Sequence, residues 1–108
     1  MNPLLKTFWD AMSAHWPTNA VAKQGKGNTI LVWYPMAIPG RPNRVSREVV
    51  LLIEQRALQA MAAAEPHDRA ALAKNAALAM KQGMAAYDPN EEAPEPFVVI
   101  ISDVALGL

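Results

Sequence analysis

Between Ser46 and Tyr87 the chain is crowded with Ala, Leu and Met and is interrupted only once, at Glu65-Pro66-His67-Asp68. These residues are strong helix formers, so the stretch predicts two long helices folded back on each other. Ser46 is placed to cap the first helix, with Glu48 in its positively polarised first turn. Pro66 suits the opening turn of the second, where its missing N–H costs nothing, and Asp68 follows just inside.

At about 100° per residue, Val49, Val50, Ile53, Ala57, Ala60, Met61 and Ala64 share one stripe of the first helix. Leu51 and Leu58 fall outside it, about 20° apart, among Arg47, Glu54 and Gln55. On a helix these two leucines form a second apolar patch, an expected interface for a partner or a second copy, or a seat for the N-terminal helix. The second helix places Leu72, Ala73, Ala76, Ala79, Met80, Gly83, Met84 and Tyr87 on one side. Its small residues predict close backbone packing, which accounts for a mid-helix glycine costing about 1 kcal/mol.

The flanking segments have sharper local signals. Asn2-Pro3 is a helix opening, and Leu4, Leu5, Phe8, Trp9, Met12 and Trp16 recur at helical spacing until Trp16-Pro17. Ala20–Gln24 and Thr29–Tyr34 surround Gly25-Lys26-Gly27-Asn28, a hairpin pattern. Pro35, Pro39, Gly40 and Pro42 predict an irregular, basic loop from Met36 to Val45. Asp88–Pro96 reads as an acidic connector. Phe97–Ile101, five apolar residues in a row, predicts a strand covered on both faces or central in its sheet.

The predicted fold is a single α+β domain over residues 1–108, in the order α-β-β-α-α-β, with a three-stranded mixed sheet and helices on one face. Alternating direction makes the last strand antiparallel to Thr29–Tyr34 and parallel to Ala20–Gln24. Ile53 and Ile100 are both expected in its core. This order is similar to that of the type II KH domain, an RNA-binding module. The turn corresponding to that family's GXXG loop is Glu65-Pro66-His67-Asp68, which is acidic and has no glycine.

Charge points to another surface. Residues 1–47 carry six cations against Asp10 alone, and residues 48–108 carry four against nine carboxylates, so the halves stand at +5 and −5. Lys23, Lys26, Arg41, Arg44 and Arg47 are therefore the expected contacts for a nucleic-acid partner. Gly40-Arg41-Pro42 resembles the centre of an AT-hook, with Pro39 where that motif has an arginine. Trp9, Trp16, Trp33 and Tyr34 are read as core residues or as platforms for bases.

Cysteine is absent, which removes thiol catalysis and thiolate metal sites. His15 and His67 lie on different elements without metal-ligand spacing. Gly25-Lys26-Gly27 lacks the spacing of a phosphate-binding loop. No apolar run reaches the roughly 20 residues of a membrane span. The expectation is a cytoplasmic binding domain, not an enzyme, with no cofactor or metal. Its expected partner is a nucleic acid at the basic segment or, alternatively, a protein or second copy at the apolar central helix; a membrane is not expected.

Overall fold

The computed structural model describes the whole chain, Met1–Leu108. Helix α1 (Pro3–Met12) opens as its sequence predicts, with the Asn2 side chain accepting from the Leu4 N–H at 2.8 Å. A 3-10 turn carries it to His15, and Trp16 is extended ahead of Pro17. Strands β1 (Val21–Gln24) and β2 (Thr29–Trp33) form the antiparallel hairpin, Val21 opposite Trp33 and Gln24 opposite Ile30. Gly27, at φ +61°, supplies the left-handed residue its turn requires.

The first half of the Ser46–Tyr87 stretch departs from the helical expectation. Val49–Ile53 is a strand, β3, and only Gln55–Ala63 is helical, as α2. Ser46 is not a helix cap. Its hydroxyl accepts from the Tyr34 N–H at 3.0 Å and its own N–H donates to the Tyr34 carbonyl at 2.8 Å, so it extends the pairing of β2 with β3. The cause is the run Val-Val-Leu-Leu-Ile, which suits a pleated surface better than a helix interior. β3 then gains ladder partners on both sides, Ile30↔Leu51 from β2 and Leu51↔Val99 from β4 (Phe97–Ile101).

The sheet is therefore four-stranded, in the order β1-β2-β3-β4, where three strands were expected. The element order becomes α-β-β-β-α-α-β, one strand more than the type II KH order. Strand directions agree with the sequence reading, since β4 is parallel to β3 and so antiparallel to β2 and parallel to β1. β4 is neither central nor covered on both faces. It forms an edge, with Val98 54 % and Ile100 57 % exposed. Ile100 is thus outside the core, whereas Ile53 is fully buried.

The segment between β2 and β3 is more ordered than its prolines suggest. Pro35 pairs with Val45, Ile38 pairs with Arg41, and the Arg41 N–H reaches the Ile38 carbonyl at 3.0 Å across Pro39-Gly40. Gly40 is at φ +79°, so proline then glycine makes the tight turn of a β-arm that prolongs the hairpin.

Helix α3 (Pro66–Gly83) starts as expected, with Pro66 and Asp68 in its first turn, but ends at Gly83, so Met84 and Tyr87 lie beyond it and the glycine is terminal instead of mid-helix. α1 packs on α3 and on β2, α2 lies against α1, and α3 lies against β4, so all three helices cover the same face of the sheet. One cluster of 20 buried residues fills the space between the layers. Phe8, Leu5, Met12, Ile30, Leu51, Ile53, Met61, Met80, Ile101 and Leu106 are its largest fully enclosed members. Trp16 closes one side, its indole N–H 3.1 Å from the Met80 sulfur. No helix is long and apolar enough to cross a membrane.

Candidate interaction surface

The pleat of the sheet sends alternate residues to opposite faces. Ile30, Val32, Val49, Leu51, Ile53, Val99 and Ile101 point to the helices and are buried. Their neighbours point away, and the registers align them into rows. Leu31 stands opposite Val50, which stands beside Val98; Leu52 stands beside Ile100. On the β1 side Val21 is opposite Trp33, and Lys23 is opposite Leu31. All but Thr29 and Lys23 of this outward face are apolar, and no helix lies over it. The packing thus leaves a largely apolar sheet face open to solvent.

The Lys23 ammonium lies 5.6 Å from the centre of the Trp33 ring. This places the one cation of the face over its one aromatic residue, a favourable arrangement for both. Trp33 is consequently part of the open surface, while Trp16 is buried and Trp9 packs at the core margin, 6.2 Å from Trp16 between ring centres.

The arginines of the β-arm have a different environment. Glu92 accepts from both Arg41, at 2.9 Å, and Arg44. Arg44 also donates to the Asn90 carbonyl at 2.8 Å. Arg47 donates to Glu91 at 2.9 Å and to the Glu95 carbonyl at 3.2 Å, with its guanidinium 5.5 Å from the Phe97 ring centre. Because β4 starts at the end of the sheet where β3 starts, the acidic connector Asp88–Pro96 is laid along the basic arm. The hydrogen bonds from Arg44 and then Arg41 hold the Glu92 carboxyl below its ordinary range. Tyr87 joins the same corner. Its hydroxyl donates to the Arg47 carbonyl, its ring packs edge-on to Phe97 at 5.4 Å, and burial pushes its hydroxyl pKa up. Burial raises that of Tyr34 as well.

The five basic residues singled out by sequence therefore do not form one patch. Lys26 is in the β1–β2 turn, and Arg41, Arg44 and Arg47 are at the other end of β2, roughly 15 Å away by strand length. Part of the +5/−5 division of the sequence is offset in three dimensions, where Arg41, Arg44 and Arg47 meet Glu91 and Glu92.

Leu51 and Leu58 do not form a surface patch either. Leu51 is fully buried on the inner face of β3 and Leu58, 9 % exposed, is in the core on α2. Their shared helical face disappears because only Leu58 is on a helix. His15 is exposed at the end of α1, and His67 contacts only its neighbour Asp68, at 3.3 Å.

The residues of the open face escape a reading by motif. Their signal was quantitative: β3 and β4 are apolar without a break and β2 nearly so, which gives more apolar rows than one helical layer can cover. Comparison with protein-family models, with curated proteins and with solved structures returned no match.

Proposed function

We propose that this chain is a non-catalytic binding module that docks a protein through the open face of its sheet. The observation that carries the reading is the outward apolar face, with Val98 and Ile100 more than half exposed beside Leu31, Val50 and Leu52. Covering such a face removes apolar area from water at about 25 cal/mol per Å², a gain that phosphate contacts do not supply. The competing reading, nucleic-acid binding through Lys23, Lys26, Arg41, Arg44 and Arg47, must first release three arginines from Glu91, Glu92 and backbone carbonyls. Phosphate contact would then be exchanged for contacts already made, so the net gain is small.

A photo-crosslinking residue placed at Ile100, with a second at Lys74 on the exposed side of α3 as control, tests this in cells. Protein adducts identified by their cross-linked peptides are expected at Ile100, absent at Lys74, and lost when Leu52→Lys is added. Adducts to nucleic acid, or equal labelling at both positions, would overturn the reading.

A further inference from the structure

The geometry points to strand addition at β4: the protein docked at the open face joins the sheet there, pairing an extended segment with this edge as a fifth strand. The inference rests on the docking role proposed above and adds the mode of binding and the chemistry of the partner. It starts from the backbone of β4. The Phe97 N–H donates to the Glu48 carbonyl at 2.9 Å, and the Ile101 carbonyl accepts from the Glu54 N–H at 3.0 Å. Phe97, Val99 and Ile101 therefore turn their backbone groups toward β3, and alternation turns those of Val98 and Ile100 out of the sheet edge. No strand lies beyond β4, and neither residue has a hydrogen-bond partner. Two N–H and two C=O groups are thus left open at strand spacing, beside two side chains that are more than half exposed.

The two edges of the sheet differ. At the other edge β1 carries Lys23, and the Gln24 side chain accepts from the Asn2 N–H at 2.7 Å. A lysine and a covering contact are means by which an edge strand is kept from pairing with another chain. β4 has neither. Phe97–Ile101 holds no charge and no proline, and its register with β3 runs without a bulge from Val49↔Phe97 to Ile53↔Ile101. An undefended edge of this kind is a template for a partner strand, with main-chain bonds giving affinity and alternate side chains selectivity.

Charge around the edge selects the partner. Glu48 and Glu95 are exposed at the start of β4, and Glu54 is exposed at its end, with Asp103 just beyond. Glu48, Glu54 and Glu95 make no ion pair, and Asp103 meets only Arg56, at 3.9 Å. Arg47, which donates to the Glu95 carbonyl, pairs with Glu91. A second copy is a poor occupant. The twofold register that matches Val98 and Ile100 of one copy with Ile100 and Val98 of the other is centred on Val99, and it brings Glu95 toward Asp103 at both ends. Like charges opposed on neighbouring strands destabilise the pair. The segment that fits has aliphatic residues opposite Val98 and Ile100 and a lysine or arginine near each end.

The experiment is an amide NMR titration of the full chain with the probe peptide acetyl-Lys-Thr-Thr-Val-Thr-Val-Thr-Thr-Lys-amide. The contact area is small, so a dissociation constant on the order of 0.1–1 mM is expected. The Val98 and Ile100 amide protons should move downfield as they gain acceptors, while those of Lys23 and Lys74 stay fixed. A peptide N-methylated at both valines, which lacks the N–H groups turned toward β4, should not bind. Ile100→Pro should not bind the unmodified peptide either; the N–H it removes faces away from β3, so the ladder is kept. Replacing both peptide lysines by glutamate should weaken binding at least about threefold at low salt. Should Ile100→Pro fail to fold, the N-methylated peptide on the wild type serves instead. Equal binding of the N-methylated peptide, or no shift up to about 5 mM peptide, overturns the inference. Equal binding of the glutamate-ended peptide overturns the stated partner chemistry. Val98 and Ile100 shifts that follow protein concentration without peptide show self-pairing and overturn the choice of a foreign segment. No peptide binding together with Leu52-dependent adducts at Ile100 removes strand addition and leaves the docking role standing; loss of both removes both.

Discussion

Gly83 and Val99 are in such close approach that a Cβ on the glycine would lie 2.7 Å from Val99 Cγ1. The close backbone contact expected of this glycine is real, but it is made with strand β4 and not with another helix. Alanine at this last residue of α3 gains at most about 1 kcal/mol of helix propensity and meets a stiff, 4 % exposed β-branched side chain, where overpacking costs about 1–3 kcal/mol. Gly83→Ala is therefore expected to destabilise by about 1 kcal/mol in urea denaturation. Combined with Val99→Ala, it should cost less than the sum of the single changes, because the second removes the obstruction.

Ile53 and Ile100 have the same side chain and opposite surroundings, 0 % and 57 % exposed. Ile53→Ala should lower stability by about 2–5 kcal/mol. Ile100→Ala should stay within about 0.5 kcal/mol of the wild type. Equal shifts in the denaturation midpoint would contradict the assignment of the two faces.

Glu92 is exposed, yet two arginines hold its carboxyl pKa low. A carboxylate whose pKa is lower in the folded than in the unfolded chain adds stability above the unfolded value. That contribution is lost as pH falls through the folded value. Carboxyl-detected NMR should give Glu92 a midpoint below 4.5, and Arg44→Gln with Arg41→Gln should return it to that ordinary value. An unshifted wild-type midpoint would show that arm and connector are apart in solution.

Tyr87 ties the segment after α3 to the start of β3 through its bond to the Arg47 carbonyl. Tyr87→Phe keeps the ring contact with Phe97 and removes only the hydroxyl, so a loss of about 0.5–1.5 kcal/mol is expected. In the wild type, the Tyr87 phenol should ionise above 10.0, since burial disfavours the phenolate. Absorbance titration against Tyr87→Phe isolates it.

The sequence by itself determined the elements whose signals are local. Asn2-Pro3 starts α1, glycines turn the β1–β2 hairpin, Pro66 and Asp68 start α3, and the β-branched run at residues 97–101 makes β4. Val49–Ile53 was different because Val49, Val50 and Ile53 also fall on one helical stripe with Ala57, Ala60 and Met61. Leu51 marked the conflict: it falls outside the stripe at helical period but aligns with Val49 and Ile53 at period two, and all three are buried. Only the tertiary structure decided the matter, by supplying β2 and β4 as hydrogen-bond partners on either side. The fate of the charges was decided the same way. Arg44 and Glu92 are 48 residues apart and meet because parallel pairing of β3 with β4 brings the connector back to the arm. Propensity is a property of neighbours along the chain; ion pairs across the fold and the exposed side of a strand depend on what the fold brings alongside.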